Sequence, residues 1–328
     1  MRIEVVYPVT EGRLVLRHEP DWNQDLEAVL HTPTGAMFGL DFDRFIALKP
    51  CLRVGEHLHW AGGPDYVLSS EDPDPQIYPF FLSPTRGRVS DVLHVAGPGG
   101  TYALRVYHPP GYDENTLRRF PVIYMHDGKN LFFPEEAFAG NEWRVDETMD
   151  RLDEMNAIRK TIVVGIAPPS RNTAYTAPGY QAFGRFLVDH LKPMIDQHLR
   201  TRPDPANTLV MGSSLGGVVS FYLAWEYPDV FGCAACMSST FGYQDDLFDR
   251  VWREPKRPVR FYLDSGWPRD NYDATNAMRD RLVRRGYRLG DDLIHFSFPD
   301  ALHNERAWAL RSHLPFQYFL GRAWSARR

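Results

Sequence analysis

The strongest structural signal in this chain lies in residues 208–219, which read Thr208-Leu209-Val210-Met211-Gly212-Ser213-Ser214-Leu215-Gly216-Gly217-Val218-Val219. The pattern Gly-x-Ser-x-Gly occurs there in one frame, with Ser214 at its centre. An apolar run precedes the motif and an apolar helical pattern follows it, which is the order strand, tight turn, helix. Glycines suit so tight a turn because side chains there would collide with neighbouring backbone. The stretch predicts a serine exposed between a strand and a helix.

The chain around this motif alternates short apolar runs with helical patterns from about residue 88 onward. Near-continuous apolar runs, typical of strands buried on both faces of a parallel sheet, lie at 121–125, 161–166, 208–211, 233–237 and 259–263. Helical patterns lie at about 142–157, 181–199, 215–226, 273–285 and 305–320. Two runs at 92–95 and 101–107 flank a Gly-Pro-Gly-Gly turn and predict an antiparallel hairpin. The alternation predicts an α/β domain with a mostly parallel, doubly wound sheet.

Residues 1–87 follow a different pattern. Short alternating stretches, for example 12–18 and 57–64, are separated by turn residues, and no long helical pattern is evident. We interpret this region as a small β-rich module of sandwich type. The expected domains are therefore 1–87 for the β module and 88–328 for the α/β domain.

Composition and charge exclude several classes of protein. The 328 residues carry 37 Lys+Arg and 42 Asp+Glu, a net charge of −5, and the basic residues are scattered. This disfavours binding to nucleic acid or to an anionic membrane surface. No window approaches the 18 apolar residues that a membrane span needs. Glu4 and Pro8 interrupt the start where a secretory signal needs an apolar stretch, so we expect a cytoplasmic protein.

Cysteine and histidine spacing predicts neither a redox centre nor a metal site. Three cysteines cannot form a closed disulfide framework, which fits a reducing compartment. Cys233 and Cys236 form a Cys-x-x-Cys, but within an apolar run that predicts a buried strand, where the two side chains face opposite sides. His57 and His59 share one strand face without an evident third ligand. We expect no metal and no cofactor.

A serine becomes a good nucleophile only when a base removes its proton, and in such a fold the acid and then the histidine follow the serine along the chain. His295 lies within a strand pattern and His313 within a helical pattern, whereas His303 lies between a strand and a helix. We therefore expect His303 to be the base.

The acid should follow the strand predicted at 257–263, where Asp264, Asp270 and Asp273 are candidates. Asp264 is still strand-like, and Asp273 is well placed to cap the next helix. Asp270, in the loop between them, is the expected acid, with Asp264 as the alternative.

A developing oxyanion needs two backbone N–H donors, one from the residue after the serine and one from the loop after an early strand. Leu215 supplies the first donor. Gly128 permits a sharp turn in the loop 125–132, which would present the amide of Lys129. We interpret His126 and Asp127 as hydrogen-bond partners that fix this loop.

An aromatic-rich stretch follows the strand after the serine helix and contains Phe241, Tyr243, Phe248 and Trp252. Of these, Phe241, Tyr243 and Trp252 are candidates for the wall of the substrate pocket. The stretch either forms a cap over the site or simply covers the sheet, and the sequence leaves both interpretations open.

Four motifs together resemble the family of α/β-hydrolases that includes esterase D, enterochelin esterases, feruloyl esterases and mycolyltransferases. The motifs lie at 124–132, 212–217, 266–270 and 303–308, and the resemblance covers about residues 90–322. It implies an α/β-hydrolase fold and, as in enterochelin esterases, an N-terminal β-sandwich. The link Trp267-Pro268-Arg269 is longer than is usual between the glycine and the acid. The implied site residues are Ser214 as nucleophile, His303 as base, Asp270 as acid, and Lys129 and Leu215 as oxyanion donors.

The sequence thus predicts a cofactor-independent serine esterase that cleaves a small-molecule carboxylic ester through an acyl-enzyme. Two alternatives stay open. One is an acyltransferase or cyclase that uses the same acyl-enzyme, and the other is a hydrolase-like binding protein without activity. We expect neither nucleic acid nor a membrane as a partner, and a homodimer is compatible with the sequence.

Overall fold

The computed structural model describes residues 1–19, 21–72 and 75–321. Residues 322–328, the end of the predicted α/β domain, lie outside the described residues. Two regions of regular structure follow one another along the chain, one with strands between residues 2 and 77 and one that begins with a strand at residue 88.

The N-terminal region consists of two small sheets that pack around one apolar core. Its strands are β1 (Arg2–Val6), β2 (Arg13–His18), β3 (Asp21–Leu26), β4 (Leu30–Thr32), β5 (Gly35–Gly39), β6 (Phe45–Val54), β7 (His57–Trp60), β8 (Tyr66–Ser69) and β9 (Gln76–Ile77). One sheet has the order β4-β5-β1-β9, and the other has the order β3-β2-β6-β7 with β8 also paired to β6. Alternate side chains such as Ile3, Leu14 and Phe38 meet between the sheets because successive strand residues face opposite sides.

The C-terminal region is built on a nine-stranded sheet. Its strands are β10 (Arg88–Val89), β11 (Leu93–Gly97), β12 (Gly100–His108), β13 (Val122–His126), β14 (Ile162–Ala167), β15 (Thr208–Ser213), β16 (Cys233–Met237), β17 (Arg260–Trp267) and β18 (Leu293–Pro299). The order is β10-β12-β14-β13-β15-β16-β17-β18, with β11 paired to β12. The six strands from β14 to β18 in this order are parallel, and the β11–β12 hairpin is antiparallel. This is the mostly parallel α/β-hydrolase sheet that the sequence predicted.

Helices cover both faces of this sheet. They are α1 (Val145–Glu154), α2 (Arg171–Tyr175), α3 (Gly179–Phe186), α4 (Lys192–His198), α5 (Leu215–Glu226), α6 (Leu247–Arg253), α7 (Tyr272–Arg284), α8 (Glu305–Arg311) and α9 (His313–Leu320). One core contains side chains of α3, α5, α6 and α7, and the other contains side chains of α1, α8 and α9. Cys233 and Cys236 lie in different cores as free, buried thiols, which confirms that they face opposite sides of β16.

The helices differ from the sequence expectation in three places. The pattern at 181–199 forms α3, a π-helical turn at Leu187–Leu191 and α4. The pattern at 305–320 divides into α8 and α9 on either side of Ser312. Helix α6 lies inside the aromatic-rich stretch, for which no helix was predicted.

The order of strands also locates a crevice. The chain passes from β13 to β14 on one side and then returns to β15 on the other side of β13. At such a switch point the loops after neighbouring strands separate, and ligands bind outside the carboxyl ends of the strands. The loops after β13 and β15 are the two that carry the predicted oxyanion donors. Among the described residues, no helix is both long enough and apolar enough to span a bilayer.

Candidate active site

Ser214 occupies the turn between β15 and α5 in a conformation that L-residues rarely adopt. Its backbone angles are φ 55° and ψ −121°. A Cβ on Gly212 would lie 2.7 Å from the carbonyl of Gly216, and one on Gly216 would lie 3.2 Å from the side chain of Asp127. Gly212 is therefore required by close backbone approach, whereas Gly216 packs tightly against the side chain of Asp127. A strained residue held by such a turn is typical of functional positions.

Ser214, His303 and Asp270 form one hydrogen-bonded row. The Nε2 atom of His303 lies 3.0 Å from Ser214 Oγ, and its Nδ1 atom lies 2.6 Å from Asp270 Oδ1. His303 belongs to the loop between β18 and α8, and Trp308 packs edge-on against its ring at 4.9 Å. A histidine bonded to a serine on one side and to a carboxylate on the other can accept the serine proton while the carboxylate fixes its tautomer.

Asp270 is held as a carboxylate by several donors. Its side chain is fully buried, and besides His303 it accepts hydrogen bonds from Ser238 Oγ at 2.5 Å and from the amides of Gly266 and Asn271, each at 2.7 Å. Burial by itself would raise the pKa of Asp270. The hydrogen bonds from His303, Ser238 and the two amides outweigh burial and lower the pKa to about 2. The carboxylate is thus charged at neutral pH.

Asp264, the alternative acid, is engaged elsewhere. It is fully buried in β17, where Arg311 bonds both of its oxygens at 3.0 and 3.2 Å and the Tyr262 hydroxyl donates at 2.8 Å. Burial raises the pKa of Asp264, and Arg311 opposes that rise. No hydrogen bond joins Asp264 to His303 in the part of the chain that the structure describes. As a correction to the sequence alternative, Asp264 is the partner of Arg311, because its side chain still follows the strand alternation.

The loop after β13 turns sharply toward the serine. Asp127 has a φ of 58°, and a three-residue helical turn follows at Gly128–Asn130. A Cβ on Gly128 would lie 2.6 Å from the backbone of Gly165, so this turn packs directly on β14. Lys129 is the middle residue of the turn, and Leu215 is the first residue of α5, where backbone N–H groups have no acceptor within the helix.

Asp127 connects this loop to the serine turn, which agrees with its predicted role as a hydrogen-bond partner that fixes the loop. Arg171 donates to its two carboxylate oxygens at 2.7 and 3.0 Å and also donates to the carbonyl of Ser213 at 3.4 Å. The backbone N–H of Asp127 donates to the Tyr175 hydroxyl at 3.1 Å. Arg171, which was not among the residues predicted from the sequence, lies in α2 just beyond the end of β14.

The interpretation of His126 as a hydrogen-bond partner is wrong. Its side chain is completely buried, and neither ring nitrogen has a partner among the described residues. Its ring packs edge-on against Tyr175 at 5.2 Å and Phe183 at 5.6 Å. Burial, together with the charge of Arg171, lowers the pKa of His126 to about 3, so the ring is neutral at pH 7.

Replacement of His126 by phenylalanine should reduce the acid sensitivity of the fold. Below pH 6.5 the unfolded chain protonates this histidine, whereas the folded chain does so only near pH 3, so the wild type loses stability over that interval. Between pH 7 and pH 4 we expect the wild type to lose about 3 kcal/mol more free energy of unfolding than His126→Phe, measured by urea denaturation. The exposed His57, changed to glutamine, is the control. An equal loss in the wild type and His126→Phe would contradict this assignment.

The three candidate pocket-wall residues lie in different places. Phe241 is buried and packs against Phe221 at 5.4 Å, so it covers the sheet. Tyr243 is 56% exposed and belongs to the loop after β16. In the same loop, the backbone N–H of Thr240 donates a hydrogen bond to the carbonyl of Ser214. Tyr243 therefore lies on the serine edge of the sheet.

Trp252, the third candidate for the pocket wall, does not lie near Ser214. Its carbonyl accepts a hydrogen bond from Arg285, which follows α7 at the edge where β18 begins. That is the amino edge of the parallel strands, opposite to the edge that carries Ser214. The aromatic stretch spans both edges because α6 runs from one to the other.

Within the described residues, no group of three or more histidine, cysteine or acidic side chains is arranged to hold a metal ion. The polar groups that converge on Ser214 are the imidazole, the carboxylate and the amides of the two turns. They can move a proton and stabilise an oxyanion.

Comparison with known proteins gives a family match over most of the α/β region. A sequence model of the family described as "Putative esterase" matches residues 96–306. The uncharacterised protein YbbA of Bacillus subtilis (strain 168) is 23% identical over 160 residues, which cover 44% of this chain and 60% of that protein. An endo-1,4-beta-xylanase/feruloyl esterase of Xylanibacter ruminicola is 23% identical over 239 residues, which cover 70% of this chain and 31% of that protein. The match thus spans less than two thirds of either relative.

Solved structures show the same fold. A ferulic acid esterase superposes with a TM-score of 0.61 at 18% identity, covering 72% of this chain and 98% of that structure. The enterobactin esterase FES from Shigella flexneri superposes with a TM-score of 0.57 at 14% identity, covering 95% of this chain and 89% of that structure. The second match includes the N-terminal β region.

Proposed function

The chain belongs to this esterase family, and from that premise we propose that it cleaves a small carboxylic ester through an acyl-enzyme formed on Ser214. The observation that carries the proposal is the row of hydrogen bonds from Ser214 Oγ to His303 at 3.0 Å and from His303 to Asp270 at 2.6 Å. A serine hydroxyl is a weak nucleophile, and this row supplies the base that activates it.

In the first half of the proposed reaction, His303 Nε2 takes the Ser214 proton while Oγ bonds to the ester carbonyl carbon. The carbonyl oxygen becomes an oxyanion, which the amides of Lys129 and Leu215 stabilise by hydrogen bonds. Asp270 stays ionised, holds the Nδ1–H tautomer of His303 and stabilises the imidazolium. The intermediate then collapses, the bond to the alcohol oxygen breaks, and His303 returns the proton to the leaving alcohol.

In the second half, water attacks the acyl group on Ser214 with His303 again as the base. A second tetrahedral oxyanion forms at the same two amides. Its collapse releases the carboxylic acid and restores the Ser214 hydroxyl. Each proton that His303 accepts is thus returned within the same half-reaction, and no cofactor is consumed.

Aryl esters should show the two halves separately. With p-nitrophenyl acetate we expect a rapid release of nitrophenol equal to about one equivalent of enzyme, followed by slower steady turnover, because acylation of serine hydrolases by activated esters outruns deacylation. Stopped-flow absorbance measures the burst. Methyl ferulate and a dihydroxybenzoyl serine ester extend the panel, since two of the superposed structures are named for ferulic acid and enterobactin.

The same experiment distinguishes the other functions that the sequence allowed. An added alcohol that captures the acyl group in place of water would indicate an acyltransferase. Absence of both burst and turnover across the panel would contradict the proposed esterase and favour a protein that only binds its ligand.

We further propose that residues 1–87 and 88–328 act as two domains and that the protein works in the cytoplasm. Glu114 of the α/β region holds the segment that connects the two regions. Its carboxylate accepts hydrogen bonds from the backbone N–H groups of Phe81, Leu82 and Ser83 at 2.6–2.9 Å. The three free, buried cysteines support the cytoplasmic location, because reduced thiols persist there.

A further inference from the structure

We propose that Ser238 and Arg311 are positioning residues that hold Asp270 in the orientation His303 needs. In the described part of the chain neither residue forms a hydrogen bond with His303 or Ser214, and neither takes part in the proposed reaction. The inference rests on the proposed function because it concerns how the acid of that same site is held.

Ser238 is fixed in place by its backbone. It is fully buried directly after β16, with a φ of 43°. Its N–H donates to the carbonyl of Asp264 at 2.7 Å, and its own carbonyl accepts from the Asn271 side chain at 2.7 Å. Positive φ in a residue other than glycine costs energy, and such strain persists only where the surroundings impose it. Glycine would suit this backbone better, so the hydroxyl is what serine adds.

The proton of the Ser238 hydroxyl has a defined direction. Arg311 Nη2 lies 2.8 Å from Ser238 Oγ, and Asp270 Oδ2 lies 2.5 Å from it on the other side. A guanidinium group has donors and no acceptor. Ser238 must therefore accept from Arg311 and donate its own proton to Asp270. A charge-assisted hydrogen bond of this kind is stronger than a neutral one.

Arg311 is in turn held by a second carboxylate. It is 4% exposed, and Asp264 binds it through both oxygens while Tyr262 donates to Asp264. The contacts thus run without a break from Tyr262 in the sheet to Asp270 in the loop. Nε and Nη2 of Arg311 carry these contacts, while Nη1 has no partner among the described residues. A buried ion pair of this kind resists movement, because separation would leave a buried charge without its countercharge.

This rigidity matters because Asp270 belongs to a loop and has two equivalent oxygens. Ser238 Oγ and the amide of Gly266 bind Oδ2, which leaves Oδ1 to His303 and the amide of Asn271. Without the Ser238 hydroxyl, Oδ2 would lose one of its two hydrogen-bond donors, and the carboxylate could rotate away from the histidine. The structure therefore assigns to the Arg311–Ser238 pair the orientation of the acid.

The test compares Ser238→Gly with the wild type in hydrolysis of p-nitrophenyl acetate. Glycine keeps the backbone conformation and removes only the hydroxymethyl group. We expect kcat to fall by about 10- to 100-fold, which corresponds to the loss of one hydrogen bond to a charged group. KM should stay within about twofold of the wild-type value. Ser265→Ala is the matched control, since the Ser265 hydroxyl is equally buried and has no partner among the described residues. That variant should retain wild-type kcat.

A double-mutant cycle separates positioning of Asp270 from general damage. If Ser238 acts through Asp270, then Ser238→Gly should change kcat by less than about twofold in a protein that already carries Asp270→Asn. Unchanged kcat in Ser238→Gly alone would overturn the inference, and so would an equal fall in both backgrounds. Failure of the proposed function itself is distinguishable, because it would appear as a wild type that hydrolyses no ester or a Ser214→Ala variant that still does.

Discussion

Replacement of Ser214 by alanine is expected to lower kcat/KM for an aryl ester by about 10⁴- to 10⁶-fold. The variant keeps the imidazole, the carboxylate and the amides of both turns, but it lacks the oxygen that bonds to the carbonyl carbon. The residual rate comes from the oxyanion donors acting on bound substrate and water. Steady-state hydrolysis of p-nitrophenyl acetate measures the loss.

The stability of two variants at this position gives an independent reading of the same turn. Alanine retains the backbone strain at φ 55°, so Ser214→Ala should unfold at the wild-type urea concentration. Ser214→Gly should be equally inactive but more stable, by about 1 kcal/mol, because glycine adopts this conformation without strain. Ser213→Ala, at the neighbouring serine of the motif, is the control and should stay active. Activity in Ser214→Ala at the wild-type level would contradict the assignment of the nucleophile.

The second large effect is a contrast between two buried aspartates. Asp270→Asn should lower kcat by about 10⁴-fold, because the amide no longer stabilises the imidazolium and can favour the wrong tautomer of His303. The fold should largely persist, since the amide oxygen of asparagine still accepts from one of the two backbone donors, Gly266 and Asn271, which bind different oxygens of Asp270. Steady-state kinetics and urea denaturation of the same preparation report both properties.

Asp264→Asn should show the opposite result, a large loss of stability with a small loss of kcat. It leaves the buried guanidinium of Arg311 without a countercharge, which should cost about 3–5 kcal/mol of unfolding free energy. Its kcat, measured on the folded fraction, should fall far less than that of Asp270→Asn. If Asp264→Asn were the inactive variant and Asp270→Asn the active one, the acid of the site would have been misassigned.

Sequence order was enough to bring the main site residues together. Ser214, Gly128, Asp270 and His303 each follow a predicted strand, and parallel strands place their carboxyl ends at one edge. The position of each residue relative to the nearest strand therefore carried most of the information. The same rule would have drawn attention to Ser238, which directly follows β16.

Other features depend on contacts between distant parts of the chain. Arg311 meets Ser238 across 73 residues of sequence, and no periodicity encodes that meeting. His126 is buried with no hydrogen-bond partner among the described residues, because Tyr175 and Phe183 close over it from α2 and α3. The position of Trp252 depends on the direction of α6, which the spacing of aromatic residues does not reveal.

The most direct test of the central claim is covalent labelling of the native protein with a fluorophosphonate, followed by peptide mass spectrometry. We expect one adduct per chain, on the peptide that contains Ser214, formed at a rate that falls sharply in His303→Ala. Ser214→Ala should take up no label under the same conditions. A wild-type protein that stays unlabelled, or one labelled on a different residue, would contradict the account.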